Sequence, residues 1–143
     1  MRLKKSLVVI AYAAIAMTTV SAAFSQEISH ALESQVTASG VKYVSGGIGA
    51  GSQQAMERVR KDYNLRLTFA RPGSGEYLSD VRVRAENNSG ETALDVVSHG
   101  PLLFARLPAG SYRVKADFEG KTQVRAVTIR KGHSRGLIFY FAK

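Results

Sequence analysis

Between Leu107 and Gly132 the chain spells out two strands and three turns. Leu107-Pro-Ala-Gly precedes Ser111–Phe118, Glu119-Gly120 follows, and Lys121–Ile129 ends at Lys131-Gly132. In the first run Tyr112, Val114, Ala116 and Phe118 alternate with Arg113, Lys115 and Asp117. A period of two sends successive side chains to opposite faces of a strand, and a short Gly-containing break between two such runs reads as a β-hairpin. A segment patterned in this way cannot present a single face as a helix, so it commits the chain to antiparallel sheet.

The same period governs the chain from Asn64 onward. Leu65, Leu67 and Phe69 alternate with Arg66 and Thr68, and Val81, Val83 and Ala85 alternate with Arg82, Arg84 and Glu86. Asn87-Asn-Ser-Gly90 is built for a turn, and Leu94 and Val96 mark the returning strand. Leu102–Leu107 is too apolar to separate an inner from an outer face, Lys121–Ile129 has a mixed phase that suggests a bulge, and Leu137–Phe141 is a further apolar strand. The expectation is all-β: a seven-stranded antiparallel Ig-like sandwich over residues 64–143, with a short N-terminal helix.

The start of the chain is of another character. Met1-Arg-Leu-Lys-Lys5 is a basic opening, Leu7–Val20 is apolar, and small residues follow to Ser25. This is the pattern of a signal peptide over residues 1–25, cut near Ser25–Gln26. The chain is therefore expected in the periplasm or secreted after cleavage. Loss of Arg2, Lys4 and Lys5 with the leader takes the net charge from +9 to +6. The chain has no cysteine, which excludes disulfides, thiol catalysis and thiolate metal sites, and favours the bacterial envelope among exported settings.

Residues 26–51 read as a flexible arm and Gly-rich linker. Ile28, Leu32 and Val36 make a thin helical stripe, Val41–Ser45 has the composition of a short strand, and Gly46-Gly-Ile-Gly-Ala-Gly51 reads as a hinge. It lacks the Gly-Lys-Ser/Thr ending of a phosphate-cradling loop. Residues 52–63 read as a short amphipathic helix capped by Ser52, with Ala55, Met56, Val59 and Tyr63 on one side and Glu57, Arg58, Arg60 and Lys61 on the other. So short a helix needs a surface to lie on. The expected surface is the sandwich or its open end; the sharper alternative is a partner groove, with Met56, Val59 and Tyr63 as the partner-facing residues.

The run Leu107-Pro-Ala-Gly-Ser-Tyr-Arg-Val114, with Phe118-Glu-Gly-Lys121 and a final β pair, resembles the carboxypeptidase regulatory-like domains, which are transthyretin-like (prealbumin-like) sandwiches with a Leu-Pro-x-Gly-x-Tyr-x-Val signature. The resemblance covers about residues 64–141 and implies a non-catalytic domain, as in small periplasmic proteins of unassigned role. One enzyme class on this sandwich, the hydroxyisourate hydrolases, ends in Tyr-Arg-Gly-Ser. This chain ends Phe139-Tyr-Phe-Ala-Lys143, so that activity does not carry over.

The residues themselves offer no catalytic set and imply no cofactor. His30, His99 and His133 stand at no metal-ligand spacing, and only His99 and His133 meeting in space would revive a site. No Gly-x-Ser-x-Gly elbow is present, and Asp80, Asp95 and Asp117 do not pair in sequence. What remains is recognition. Arg82, Arg84, Arg113 and Lys115 point outward from two strands and would form a basic stripe for an acidic glycan or lipid headgroup if those strands share a sheet. The lack of outward aromatics among them argues against nucleic acid. The last strand, Ile138–Phe141, would offer an edge for strand addition. The favoured reading is a protein-interaction module of the envelope, binding a partner protein or itself; the alternative is a polyanion or carbohydrate binder.

Overall fold

A computed structural model describes Leu32 and residues 34–143. The expected leader, Ile28 and His30 lie outside the described residues. The strands are β1 (Gln35–Val36), β2 (Lys42–Gly46), β3 (Leu65–Ala70), β4 (Val81–Asn87), β5 (Thr92–Ser98), β6 (Leu102–Arg106), β7 (Gly110–Phe118), β8 (Lys121–Ile129) and β9 (Arg135–Tyr140). One helix, α1 (Gly49–Val59), runs on into a 3-10 turn, Arg60–Asp62.

The strands form two sheets, one of five strands in the order β1-β2-β6-β3-β9 and one of four in the order β5-β4-β7-β8. The described residues thus hold nine strands where seven were expected, because the presumed arm supplies β1 and β2. Pairing is antiparallel except between β3 and β9, which run parallel from Leu65 opposite Arg135 to Ala70 opposite Tyr140. Alternation cannot reveal this. Turn chemistry fixes the direction of strands joined by a tight turn, whereas β9 meets β3 only after the chain has passed through the other sheet.

The inner faces meet in one core. Leu65, Leu67, Phe69, Leu103, Ala105 and Phe139 of the larger sheet pack against Val81, Val83, Ala85, Leu94, Tyr112, Val114 and Ala116 of the smaller. A second cluster lies on the other side of the larger sheet, where α1 covers β2 and β6: Met56 and Tyr63 pack on Val44 and Phe104. The molecule therefore has three layers over part of its width and two over the rest.

The Gly-rich run is a packed corner, not a hinge. A Cβ on Gly46 would lie 3.1 Å from the Ser52 hydroxyl, and one on Gly100 would lie 2.2 Å from the Gly46 carbonyl oxygen. Backbone therefore meets backbone where β2 passes the β5–β6 turn. The buried Ser98 hydroxyl donates to the Gly100 carbonyl at 2.7 Å and holds that turn. Ser52 is not the helix cap either. The helix starts three residues earlier, and the Ser52 Oγ accepts the Gly47 N–H at 2.8 Å.

β8 carries no bulge: its register with β7 is continuous from Gly110–Ile129 to Phe118–Lys121. The irregularity lies instead between Ala85 and Glu86 on β4. The mixed phase of β8 has another cause. Its inward positions Gln123 and Arg125 overhang the core and turn to β9, where Gln123 donates to the Tyr140 carbonyl and the Arg125 guanidinium stands 5.9 Å from the Phe139 ring.

Two side chains fasten the β6–β7 corner. The Asn64 amide donates to the Leu107 carbonyl at 2.7 Å and accepts the Leu107 N–H at 2.9 Å. The Tyr112 hydroxyl donates to the Pro108 carbonyl at 2.8 Å, in the manner of a tyrosine corner. Burial pushes the Tyr112 phenol above its ordinary value of 10.0. Tyr112→Phe should cost about 1 kcal/mol through the lost hydrogen bond, read from urea unfolding at neutral pH. The raised value also sets the sign of a pH effect. As pH climbs past 10 the unfolded chain releases this proton first, so stability is full below that pH and is lost as pH rises through the folded-state value. The gap between wild type and Tyr112→Phe should narrow in that alkaline range and stay constant below it.

Candidate functional site: the outer faces of the sandwich

β4 and β7 do share a sheet, and Arg82, Arg84, Arg113 and Lys115 do share its outer face. Arg84 stands directly opposite Lys115, and Arg113 opposite Glu86. The same register interleaves carboxylates among them. Arg82 is 3.2 Å from Asp95, Arg84 is 3.1 Å from Glu86, and Lys115 is 3.5 Å from Glu86. The Asp95 carboxylate, hydrogen-bonded to Arg82, raises the already high pKa of that guanidinium. Asp117 stands opposite Arg82 on its other side. The face is a checkerboard of both signs, so the expected basic stripe is corrected to a nearly neutral surface. The missing information was register: each of these acids reads in sequence as an isolated solvent residue.

For Met56, Val59 and Tyr63 the reading that lays the helix on the sandwich holds, and the partner-facing alternative is corrected. Met56 and Tyr63 are buried and Val59 packs beside them, all against the chain's own sheet. The helix spends its apolar side inside the molecule and has none left for a partner. Its polar side is free, with Arg60 held 3.1 Å from Glu57.

The helix covers only half of its sheet. Over β3 and β9 the outer face is open, and there Ile138 is 47% exposed and Tyr140 45%. Tyr77, bridged to Ala70 beside Tyr140, is 54% exposed. Between this area and α1 runs a groove of about 370 Å³, floored by Phe104, Leu102, Thr68 and Ile138 and walled by Glu57, Arg60 and Arg66. Arg66 donates to the Arg60 carbonyl and to the Ser134 hydroxyl, both at 3.2 Å, so its guanidinium is fixed at the mouth.

β9 is a sheet edge, but one partly occupied. The N–H groups of Arg135 and Phe141 bond the carbonyls of Asn64 and Ala70, so the odd-numbered residues of β9 face β3. The backbone groups of Gly136, Ile138 and Tyr140 therefore point to the free side. There Gln123 takes the Tyr140 carbonyl, and Lys121 donates to the Ala142 carbonyl at 2.7 Å. Strand addition along the whole of β9 is blocked by these side chains, and the exposed apolar face is the better candidate.

No catalytic constellation forms among the described residues. His99 lies at the β5–β6 turn, 3.6 Å from Asp80 with both side chains exposed. His133 lies in the turn before Arg135, which pairs with Leu65. The Phe69 N–H bonds the Pro101 carbonyl, so the two histidines sit at opposite ends of β3 and do not converge. No group of three His, Asp or Glu side chains is placed to hold a metal ion among the described residues. No described helix is long and apolar enough to cross a membrane.

The chain matches no protein-family model and no curated protein.

Proposed function

We propose that this chain is an exported, non-catalytic binding module, a carboxypeptidase regulatory-like sandwich that docks a partner protein of the bacterial envelope on the open half of its larger sheet. One observation carries the reading: a helix buries half of that face, while Ile138, Tyr140 and Tyr77 lie exposed together on the other half. Grouped large apolar side chains beside a polar rim mark a docking surface more often than scattered ones do. Burying such a patch supplies the apolar centre of an interface, and its rim selects the partner.

The rim favours a different protein over a second copy. Arg66 pairs with no carboxylate among the described residues, and a two-fold contact through Ile138 would set basic rim against basic rim. The partner that fits is an apolar surface edged by Asp or Glu. The acidic glycan or lipid reading for Arg82, Arg84, Arg113 and Lys115 is left with little net charge to act on.

The test is a photo-crosslinking residue at position 138 and, as a control, at position 84, in the exporting cell. A single heterologous adduct at 138 but not at 84, on a chain beginning near Gln26, is the expected result. Adducts at neither position, adducts at both, or a homodimer at 138 would overturn the docking face, and an intact Met1 would overturn processing.

A further inference from the structure

A cluster of uncompensated positive charge lies at one end of the sandwich, away from the sheet face where sequence alone places it. The β8–β9 turn presents Arg130, Lys131 and Arg135, all exposed. The same end receives Lys61 from the 3-10 turn, Arg66 from β3 and Arg106 from β6. Hydrogen bonds bring these elements together. The Arg135 N–H donates to the Asn64 carbonyl at 2.8 Å, Arg66 reaches the Ser134 hydroxyl, and Arg106 donates to the Asp62 carbonyl at 3.3 Å. Where Arg66 and Arg106 bond protein, they bond carbonyl and hydroxyl oxygens, which leave their charge intact. None of the six cations has a carboxylate within ion-pair distance among the described residues, whereas Arg82, Arg84 and Lys115 on the sheet face all do. Carboxylates are sparse here: Asp62 stands beside Lys61, Glu57 lines the same groove as Arg66, and Glu91 lies in the turn before β5, none within ion-pair distance of these six cations.

We infer that this end of the domain is a docking surface for an anionic phospholipid bilayer. The cations come from four separate stretches of the chain spread across the end of the sandwich, an arrangement that suits a plane of charge better than a single strand of polymer. The exposed aromatics Tyr77 and Tyr140 lie at the opposite end of β3 and β9, so no base-stacking platform accompanies the charge. The chain also enters the domain here: the Tyr63 hydroxyl bonds the Ser34 hydroxyl at 3.1 Å, directly after the 3-10 turn. Attraction of this kind sums over basic residues near the surface and decays within a Debye length, about 8 Å at physiological salt.

Apart from Arg66, which rims both, the surface is separate from the Ile138–Tyr140 face, and its test, which leaves Arg66 in place, does not depend on that reading. The full chain, and beside it residues 26–143, which contain every described element, are sedimented with vesicles of phosphatidylcholine alone or with about one-third phosphatidylglycerol. Two variants remove equal charge: Arg130→Ser/Lys131→Ser/Arg135→Ser at the end, and Arg82→Ser/Arg84→Ser/Arg113→Ser on the sheet face. The expected result is binding to the anionic vesicles only, weakened by salt. It should fall at least about tenfold in the first variant and stay within about twofold in the second. Lys61→Gln/Arg106→Gln reads the same surface from other elements and guards against a folding defect in the turn variant. Equal loss in both triple variants, no preference for anionic vesicles, or tighter binding to an acidic polysaccharide or duplex DNA than to the vesicles would overturn the inference.

Discussion

Gly100→Ala is expected to be the most damaging single-atom change in the described fold. Its Cβ would stand 2.2 Å from the Gly46 carbonyl oxygen and 2.7 Å from the Gly46 Cα. Neither neighbour is a side chain that can swing aside, so the β5–β6 turn or β2 must move bodily. Overpacking of a formed interior costs about 1–3 kcal/mol and more where backbone is displaced. The upper end applies, about 3 kcal/mol or more. The effect is steric, since Gly100 does not adopt a left-handed conformation. Gly136→Ala is the matched control: a strand glycine with open space around its Cβ position, expected to change stability by less than about 0.5 kcal/mol. Urea midpoints of the two variants decide the matter. A Gly100→Ala midpoint equal to that of Gly136→Ala would mean that the two backbones do not touch.

Phe139→Ala should cost about 3–5 kcal/mol, the range for emptying a fully buried aromatic site. Phe139 is fully buried, its ring centroid lies 6.0 Å from that of Phe69, and Arg125 stands over it from β8. Its neighbour supplies the contrast. Ile138 points to the other face of the same strand, and Ile138→Ser should stay within about 1 kcal/mol. The pair thus separates the two roles of β9, since one residue holds the sandwich shut and the next is free for a partner. Thermal unfolding of both variants measures the difference, and equal losses would show that Ile138 is buried in solution.

Much of this was legible from alternation alone. Leu65, Leu67 and Phe69, then Val81, Val83 and Ala85, and Tyr112 through Ala116 all fall on the inner faces as their spacing requires. The turns of Asn87–Gly90 and Glu119-Gly120 sit where their residues place them, with the Asn87 side chain accepting the N–H groups of Ser89 and Glu91. What stayed hidden involves partners far apart in the chain. Gly46 looks like a hinge until Gly100 is set against it. Gln123 and Arg125 look like a broken strand until β9 is placed alongside. Arg82 and Arg84 look like a basic stripe until Asp95 and Glu86 are brought into register. Of the candidate face, the sequence shows Ile138–Phe141 as an apolar strand. The location of the face was not legible, because only the fold shows how much of the sheet the helix covers, and the residues it leaves bare lie on another strand.

The parallel pairing of β3 with β9 bears on when the molecule can exist at all. Leu65 and Arg135 are partners separated by 70 positions, so β3 keeps an unpaired edge until the last strand has been made. Contacts of such long range slow folding, because the intervening loop must be closed before they can form. The proposed export would gain from that delay: the five-stranded sheet cannot close around β3 before β9 has arrived, so translocation would precede folding. The same dependence makes the final strand a checkpoint, since a chain truncated before Arg135 would bare the edge of β3 to any other strand in the compartment.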